Sequence, residues 1–154
     1  MNKEHVVEQL RAAKSAHIKW VQKAKLLING IDVEKDAIPV NSTECNFGKW
    51  FYSDAQALNA LSNNPMECMA SIEQLHFELH DVYMNIFSIY FSKPDDGFFS
   101  KIFGKKKKVS ADEAQIAQQY FSKLEEISKM LLDEINRLER RVLAVSDEKI
   151  KELI

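Results

Sequence analysis

The feature that most constrains the fold is a run of apolar residues near the C-terminal end, spaced alternately three and four positions apart. Such spacing places the side chains on one face of an α-helix, and about four repeats are also typical of coiled-coil pairing. Ser110 and Glu113 form a capping-box signature before the run. The sequence therefore predicts a long C-terminal helix with a buried face comprising Ile116, Tyr120, Leu124, Ile127, Leu131, Ile135, Leu138, Val142 and Val145.

Three earlier segments carry the same periodicity. We predict helices over about residues 3–29, 47–62 and 65–91, with Gly30 ending the first helix and Pro65 near the start of the third. The chain has only four glycines and three prolines, which favours long helices over strands and turns. The predicted fold class is all-α, a helical bundle with a long C-terminal helix.

Length and charge restrict the class of protein. A chain of 154 residues can form one core, so we expect a single domain over residues 1–154. The net charge of −2 argues against a general nucleic-acid-binding protein, which needs a basic surface. We see no signal-peptide pattern and no apolar run long enough to cross a bilayer, and on that basis expect a cytoplasmic protein.

Residues 93–109 differ in character from the rest and are expected to form an inserted loop. Pro94, Gly97 and Gly104 interrupt any helix there. A solvated loop is the simpler interpretation, and contact with an anionic membrane surface or a partner is the alternative. The residues of that possible contact are Phe98, Phe99, Phe103, Lys105, Lys106, Lys107 and Lys108.

Three histidines and one cysteine suggest a metal site. His76 and His80 are four residues apart, so their imidazoles share one helix face, and His17 lies on the apolar stripe of the first helix. Cys45 precedes the second helix, where the helix dipole favours a thiolate. Three imidazoles and a thiolate suit tetrahedral zinc. From periodicity alone, however, core histidines held by hydrogen bonds and a cysteine that acts as a small apolar residue remain equally open.

The sequence around these residues resembles the chemoreceptor zinc-binding (CZB) domain family. That family has a histidine three residues before a tryptophan, a Cys-x-(aromatic or Leu)-Gly-x-Trp box and a final histidine pair. The resemblance extends over about residues 6–91. The matching segments are His17-Ile18-Lys19-Trp20, Cys45-Asn46-Phe47-Gly48-Lys49-Trp50 and His76-Phe77-Glu78-Leu79-His80.

The resemblance implies an antiparallel four-helix bundle, often dimeric, that holds one Zn²⁺ per chain. The implied ligands are His17, Cys45, His76 and His80. Members of the family are attached to chemoreceptors or diguanylate cyclases, or occur alone, and they regulate output in response to zinc. In some receptors the zinc-bound cysteine is the target of oxidants such as hypochlorous acid.

Four neighbouring residues have expected supporting roles. Trp20 and Trp50 are expected to shield the site from water, and Gly48 to permit close backbone approach beside the cysteine. Glu73 lies one turn before His76 and is the candidate acceptor for the second ring N–H of that histidine. A simple core or surface role is the alternative for each.

These observations predict a zinc-binding sensory module that signals to a separate protein, such as one of a chemoreceptor or diguanylate cyclase pathway. Four protein ligands leave no open coordination position, so we expect no enzymatic activity. One alternative is a redox sensor that acts through Cys45. Another is an interaction protein with a purely structural zinc ion. A homodimer is expected in each case.

Overall fold

The structure is a computed structural model that describes residues 1–31, 33, 42–63, 65–91 and 108–153. The described part of the chain is almost entirely helical, which confirms the all-α prediction and the long C-terminal helix. The elements are α1 (Lys3–Ile28), α2 (Asn46–Phe51), a 3-10 helix (Asp54–Ala60), α3 (Met66–Tyr90), α4 (Ala111–Leu143) and α5 (Asp147–Lys151).

Helix α4 packs against both α1 and α3 and runs antiparallel to each. Near the start of α1, Lys3 donates a hydrogen bond to the carbonyl oxygen of Val145, just after α4 ends. Further along α1, Lys14 contacts Asn136, earlier in α4. On the other side, Arg137 of α4 pairs with Glu67 at the start of α3. These contacts establish that α1 and α3 both run antiparallel to α4.

Helices α1 and α3 run in the same direction and meet in the middle of the bundle. The rings of His17 and His76 lie 5.0 Å apart between centroids. Towards the ends of the two helices, the Tyr90 hydroxyl donates to the carbonyl oxygen of Ile28. Helices α1 and α3 thus run opposite to α4, which agrees with an antiparallel bundle. The short α2 occupies part of the position that a fourth long helix would take.

Two predicted helix boundaries are confirmed, the start of α4 and the end of α1. The Ser110 hydroxyl accepts from the Glu113 backbone N–H, and the Glu113 carboxylate accepts from the Ser110 N–H, so the capping box before α4 is confirmed. At the end of α1, Gly30 has a φ of 79°, a conformation that favours glycine and ends the helix.

The second helix is much shorter than predicted. Helix α2 ends at Phe51, and a separate 3-10 helix follows it. Ser53 lies at the break, where its hydroxyl donates to the carbonyl oxygen of Lys49 at 2.7 Å. Serine side chains that bond to nearby backbone groups compete with the helical ladder. Apolar periodicity does not report this competition. The prediction of one continuous helix over residues 47–62 was therefore wrong.

The apolar face of α4 is also displaced at its N-terminal end. Ile116, predicted to be buried, is 47% exposed, whereas Ala117 and Phe121 are buried. A heptad averages 3.5 residues per turn and a straight helix 3.6, so the predicted face drifts around the helix along its length. From Leu124 to Val145 the predicted positions are buried.

The insertion prediction falls almost wholly outside the described residues. Lys108 is exposed, and Phe98, Phe99, Phe103, Lys105, Lys106 and Lys107 lie in the range that the structure does not describe. Within the described ranges, no helix is both long enough and apolar enough to span a bilayer.

Candidate metal centre

The structure brings His17, Cys45, His76 and His80 together at the centre of the bundle. One side-chain ligand atom from each lies within 4.8 Å of the others. His17 lies in the middle of α1, and Cys45 immediately precedes α2. His76 and His80 both lie in α3. Four donor atoms from three separate parts of the chain could therefore hold one metal ion.

Two of the distances between donor atoms approach the edges of a tetrahedral zinc site. Cys45 Sγ lies 3.3 Å from His76 Nε2, and His80 Nε2 lies 3.1 Å from the same nitrogen. With zinc–nitrogen bonds of about 2.0–2.1 Å and a zinc–sulfur bond of about 2.3 Å, a tetrahedron has nitrogen–nitrogen edges of about 3.3 Å and nitrogen–sulfur edges of about 3.6 Å. These atoms would need to move by only a few tenths of an ångström.

Cys45 is held by the turn that starts α2. It occupies the N-cap position, and its Sγ accepts the backbone N–H of Gly48 at 3.2 Å. A side chain at position 48 would not fit, because a Cβ there would lie 1.8 Å from the carbonyl oxygen of Ser42. Gly48 thus allows the preceding turn to pass close to α2 beside the sulfur.

The protein environment acts on the Cys45 thiol in two directions. Burial raises its pKa, and the backbone N–H groups of Gly48 and Phe47, with the positive charge of Lys49, act to lower it, so that the net shift is upward. A thiolate is the metal-binding form of cysteine, and a bound cation favours it strongly. The chemistry of Cys45 therefore depends on whether a cation is bound.

The imidazole of His17 is oriented by its own helix. Its Nδ1 lies 2.7 Å from the carbonyl oxygen of Ala13, one turn earlier. Because a carbonyl oxygen can only accept, Nδ1 carries the proton and Nε2 remains available to a metal. Ala13 was not identified from the sequence, although its place four residues before His17 is the signal that could have identified it.

Burial also keeps the imidazoles of His17 and His76 neutral. It lowers the pKa of His17, with the Ala13 hydrogen bond opposing the shift. Burial, together with the neighbouring His17 and His80, lowers the pKa of His76 to about 2. A neutral imidazole is the form that binds a metal. His17 and His76 could thus bind zinc without first losing a proton.

Glu73 does not make the hydrogen bond that the sequence predicted. Its side chain is exposed, and in the described part of the structure His76 Nδ1 is buried without a hydrogen-bond partner. The reason is the direction of the side chain: Glu73 lies on the outer side of α3, whereas the His76 ring turns inwards.

Aromatic rings surround the cluster. Trp20 is 8% exposed, its ring lies 4.1 Å from that of His80, and it also stacks on Tyr83 at 4.8 Å. Phe47 has its ring centroid 5.5 Å from His17 and 5.1 Å from His76. Trp20 and Phe47 therefore form two walls of the site, and the contact of Tyr83 with Trp20 was not predicted.

Trp50 lies farther out than expected. Its ring is buried and its centroid is 6.0 Å from that of Phe47, on which it packs. Phe47 in turn contacts the histidines. Trp50 thus supports a wall of the site rather than forming one.

Comparison with known proteins gives one result. Residues 17–87 match the family model of the chemoreceptor zinc-binding domain. The matched segment begins at His17 and includes the other three residues of the cluster. Neither the curated proteins nor the solved structures gave a match. Residues 17–87 are therefore similar to the chemoreceptor zinc-binding domain, and the match supports membership of that family.

Proposed function

We propose that the protein is a zinc-binding sensory module that signals zinc availability to a separate signalling protein, for example in a chemoreceptor or diguanylate cyclase pathway. The observation that carries the proposal is the convergence of His17, Cys45, His76 and His80 within 4.8 Å. Three imidazoles and a thiolate at these distances suit one zinc ion. With four protein ligands the ion has no open position for substrate, which supports a regulatory role over catalysis.

Zinc occupancy would act mainly on the position of α2. Helix α2 has only six residues, and the sulfur of its N-cap residue is one of the four donors. Because α1 and α3 are also tied to the long α4, loss of the ion would release α2 before it released the other helices. A partner that recognises the surface around α2 would then distinguish the zinc-bound state from the zinc-free state.

Metal content tests this proposal directly. We expect about one zinc per chain in the wild type, measured by elemental analysis of protein purified without chelator. Cys45→Ser and His76→Ala should each lose most of the metal. His5→Ala is the matched control, because His5 is exposed at the start of α1 and lies outside the cluster. A wild-type protein that neither retains zinc nor takes it up would refute the proposal.

A second function uses the same site with an oxidant as the signal. Of the four clustered residues, Cys45 is only half-buried, whereas the three histidines are buried. An oxidant such as hypochlorous acid would meet the sulfur first, and oxidation would remove a ligand. Release of zinc in step with Cys45 oxidation, measured by a chromogenic chelator and by mass spectrometry, would support this function. Retention of zinc while other groups oxidise would exclude it.

A third function keeps zinc as a structural ion in an interaction protein. The helical surface of α4 would then bind a second copy or another partner. Chelation that leaves the circular dichroism spectrum unchanged but exposes a binding face would argue against a purely structural ion, whereas loss of the helical signal on chelation would favour this function. Four further expectations apply to all three functions. They are a homodimer, a single domain over residues 1–154, a cytoplasmic location and no binding of nucleic acid.

Contact with a membrane surface through residues 98–108 is a separate proposal. It rests on the aromatic and lysine residues of that segment, which suit an anionic interface. Co-sedimentation with vesicles containing anionic lipid tests it, and vesicles of neutral lipid are the control. Equal recovery in the supernatant with both would remove it.

A further inference from the structure

A cavity of about 380 Å³ lies directly beside the ligand cluster. Its volume falls in the range of pockets that hold small organic molecules, and it is far larger than a metal ion or an oxidant such as hypochlorous acid requires. Three of its lining residues belong to the cluster, and the others come largely from α1. Prominent among its lining residues are His17, Cys45, His80, Ala12, Ala16 and Trp20.

Short side chains on α1 create the space. Ala12 and Ala16 line the cavity and are themselves exposed, so the cavity reaches the protein surface along this face of α1. Phe47 and Trp20 supply its larger apolar surfaces. Binding of a mostly apolar molecule would therefore be favourable, because it would remove apolar surface from contact with water.

Trp20, which lines the cavity, carries a hydrogen-bond donor that is not used within the described ranges. Trp20 is 8% exposed, and its indole Nε1 is buried with no hydrogen-bond partner in the described part of the chain. A buried donor without an acceptor carries a free-energy cost that a ligand oxygen would remove. The preferred ligand is thus apolar and carries an acceptor such as a carbonyl oxygen.

Cys45 is the nucleophile that such a ligand would meet. It lines the cavity and is half-buried, whereas the other cysteine, Cys68, is fully buried and lies outside the cavity lining. A zinc-bound cysteine is a thiolate, the reactive form. A carbonyl compound with a conjugated double bond would present a soft electrophilic carbon to that sulfur.

We propose that the cavity admits small, largely apolar α,β-unsaturated carbonyl compounds to Cys45, which they alkylate. The Cys45 sulfur forms a bond to the β-carbon, the π electron pair of the C=C bond moves to the α-carbon as an enolate, and a solvent proton completes the addition. No oxidant is consumed. The thioether that results would be a poor zinc ligand, so the adduct would release the ion; the thiolate form of Cys45 and this release both rest on the proposed zinc-binding function.

The first test compares two reagents on the full-length, zinc-loaded protein. Cinnamaldehyde needs the cavity, whereas iodoacetamide is small and serves as the reference alkylating agent. Ala16→Leu fills the cavity, and Ser15→Leu is the matched control, because Ser15 is exposed and lies outside the cavity lining. Intact-mass and peptide-mass spectrometry follow the adduct on Cys45 and, as an internal check on unfolding, on Cys68.

We expect Ala16→Leu to slow the cinnamaldehyde reaction about tenfold relative to iodoacetamide, which corresponds to about 1.4 kcal/mol of lost binding. Ser15→Leu should leave the ratio unchanged. Trp20→Phe keeps an aromatic ring but removes the donor, and it should slow the cinnamaldehyde reaction about threefold to tenfold. An unchanged ratio in Ala16→Leu, or modification of Cys68 at the same rate as Cys45, would overturn the proposal.

Zinc release is measured in the same samples with a chromogenic chelator. One ion released for each Cys45 adduct supports the whole sequence of events. If the protein holds no zinc, the proposed zinc function fails, but the effect of Ala16→Leu on Cys45 alkylation still decides the cavity proposal in the zinc-free protein. The two failures are therefore distinguishable.

Discussion

His17 Nδ1 lies 2.7 Å from the carbonyl oxygen of Ala13, which is one helical turn earlier in α1. This contact fixes the tautomer of His17 and presents Nε2 to the centre of the cluster. We predict that, in the zinc-loaded protein, long-range ¹H–¹⁵N NMR spectra show a protonated Nδ1 and a metal-bound Nε2 for His17. His5 is exposed and lies outside the cluster, so its signals should not change when zinc is added. A protonated Nε2 on His17 would contradict the geometry.

Gly48 controls the position of Cys45. A Cβ at residue 48 would lie 1.8 Å from the backbone oxygen of Ser42, so the turn beside Cys45 must shift. We expect Gly48→Ala to lower the free energy of unfolding by more than about 2 kcal/mol and to weaken zinc binding at least about tenfold. Thermal denaturation and competition with a fluorescent zinc chelator measure the two effects.

Gly30→Ala is the matched control for Gly48→Ala. Gly30 has a φ of 79° but no atom within 4 Å of an added Cβ. Its substitution should cost only about 1 kcal/mol, from backbone strain at the end of α1, and should leave zinc affinity unchanged. Equal effects of the two substitutions on zinc affinity would show that Gly48 has no special relation to the site.

The candidate site was easier to predict than the local path of the chain. His76 and His80 share a helix face by spacing alone, and His17 follows the periodicity of α1, so their inward direction is encoded locally. The family pattern then links them to Cys45. The break after Phe51 was missed because it depends on the side-chain hydrogen bond of Ser53, which apolar periodicity does not report.

Contacts between the helices of the bundle could not be predicted from the sequence either. Glu73 was expected beside His76, but one turn of spacing does not settle which of two neighbouring faces points inwards. The contact of Tyr83 with Trp20 joins α3 to α1, and only the packing of those helices defines it. The contact of Arg11 and Lys14 with Glu139 likewise depends on the register of α1 against α4.

Glu139 is a buried carboxylate that links α4 to α1. It is 8% exposed and accepts hydrogen bonds from Arg11 at 2.8 Å and from Lys14 at 2.5 Å. Burial alone would raise the pKa of Glu139, but the hydrogen bonds and positive charges of Lys14 and Arg11 outweigh it, and the pKa falls below its ordinary value of 4.5. The carboxylate therefore stabilises the folded state in its charged form.

We predict that Glu139→Gln lowers the free energy of unfolding at pH 7 by about 1–3 kcal/mol, because it leaves two cations without their anion. A group whose pKa is lower in the folded state contributes its full stability above its unfolded pKa and loses it as the pH falls through the folded pKa. The difference between wild type and Glu139→Gln should thus be constant above about pH 5 and shrink in more acidic solution. Urea denaturation at a series of pH values measures it.

The control for Glu139→Gln is Glu67→Gln. Glu67 pairs with Arg137 at 3.3 Å, but its side chain is 65% exposed, and such surface pairs contribute about 0–1 kcal/mol. Its substitution should have little effect at any pH. A larger loss from Glu67→Gln than from Glu139→Gln would mean that burial does not decide the strength of these ion pairs.

The two tryptophans should report zinc differently. The ring of Trp20 lies 4.1 Å from that of His80, whereas Trp50 packs on Phe47, one layer away from the donor atoms. Trp50 lies in α2, which loss of zinc is proposed to release, whereas Trp20 lies in α1, which stays packed on α4. The emission of Trp50 should therefore change more than that of Trp20. We predict a clear change in fluorescence when a chelator is added to Trp20→Phe, which retains Trp50, and a smaller change in Trp50→Phe. Addition of excess zinc should reverse it. A larger change in Trp50→Phe would contradict release of α2 as the first effect of zinc loss.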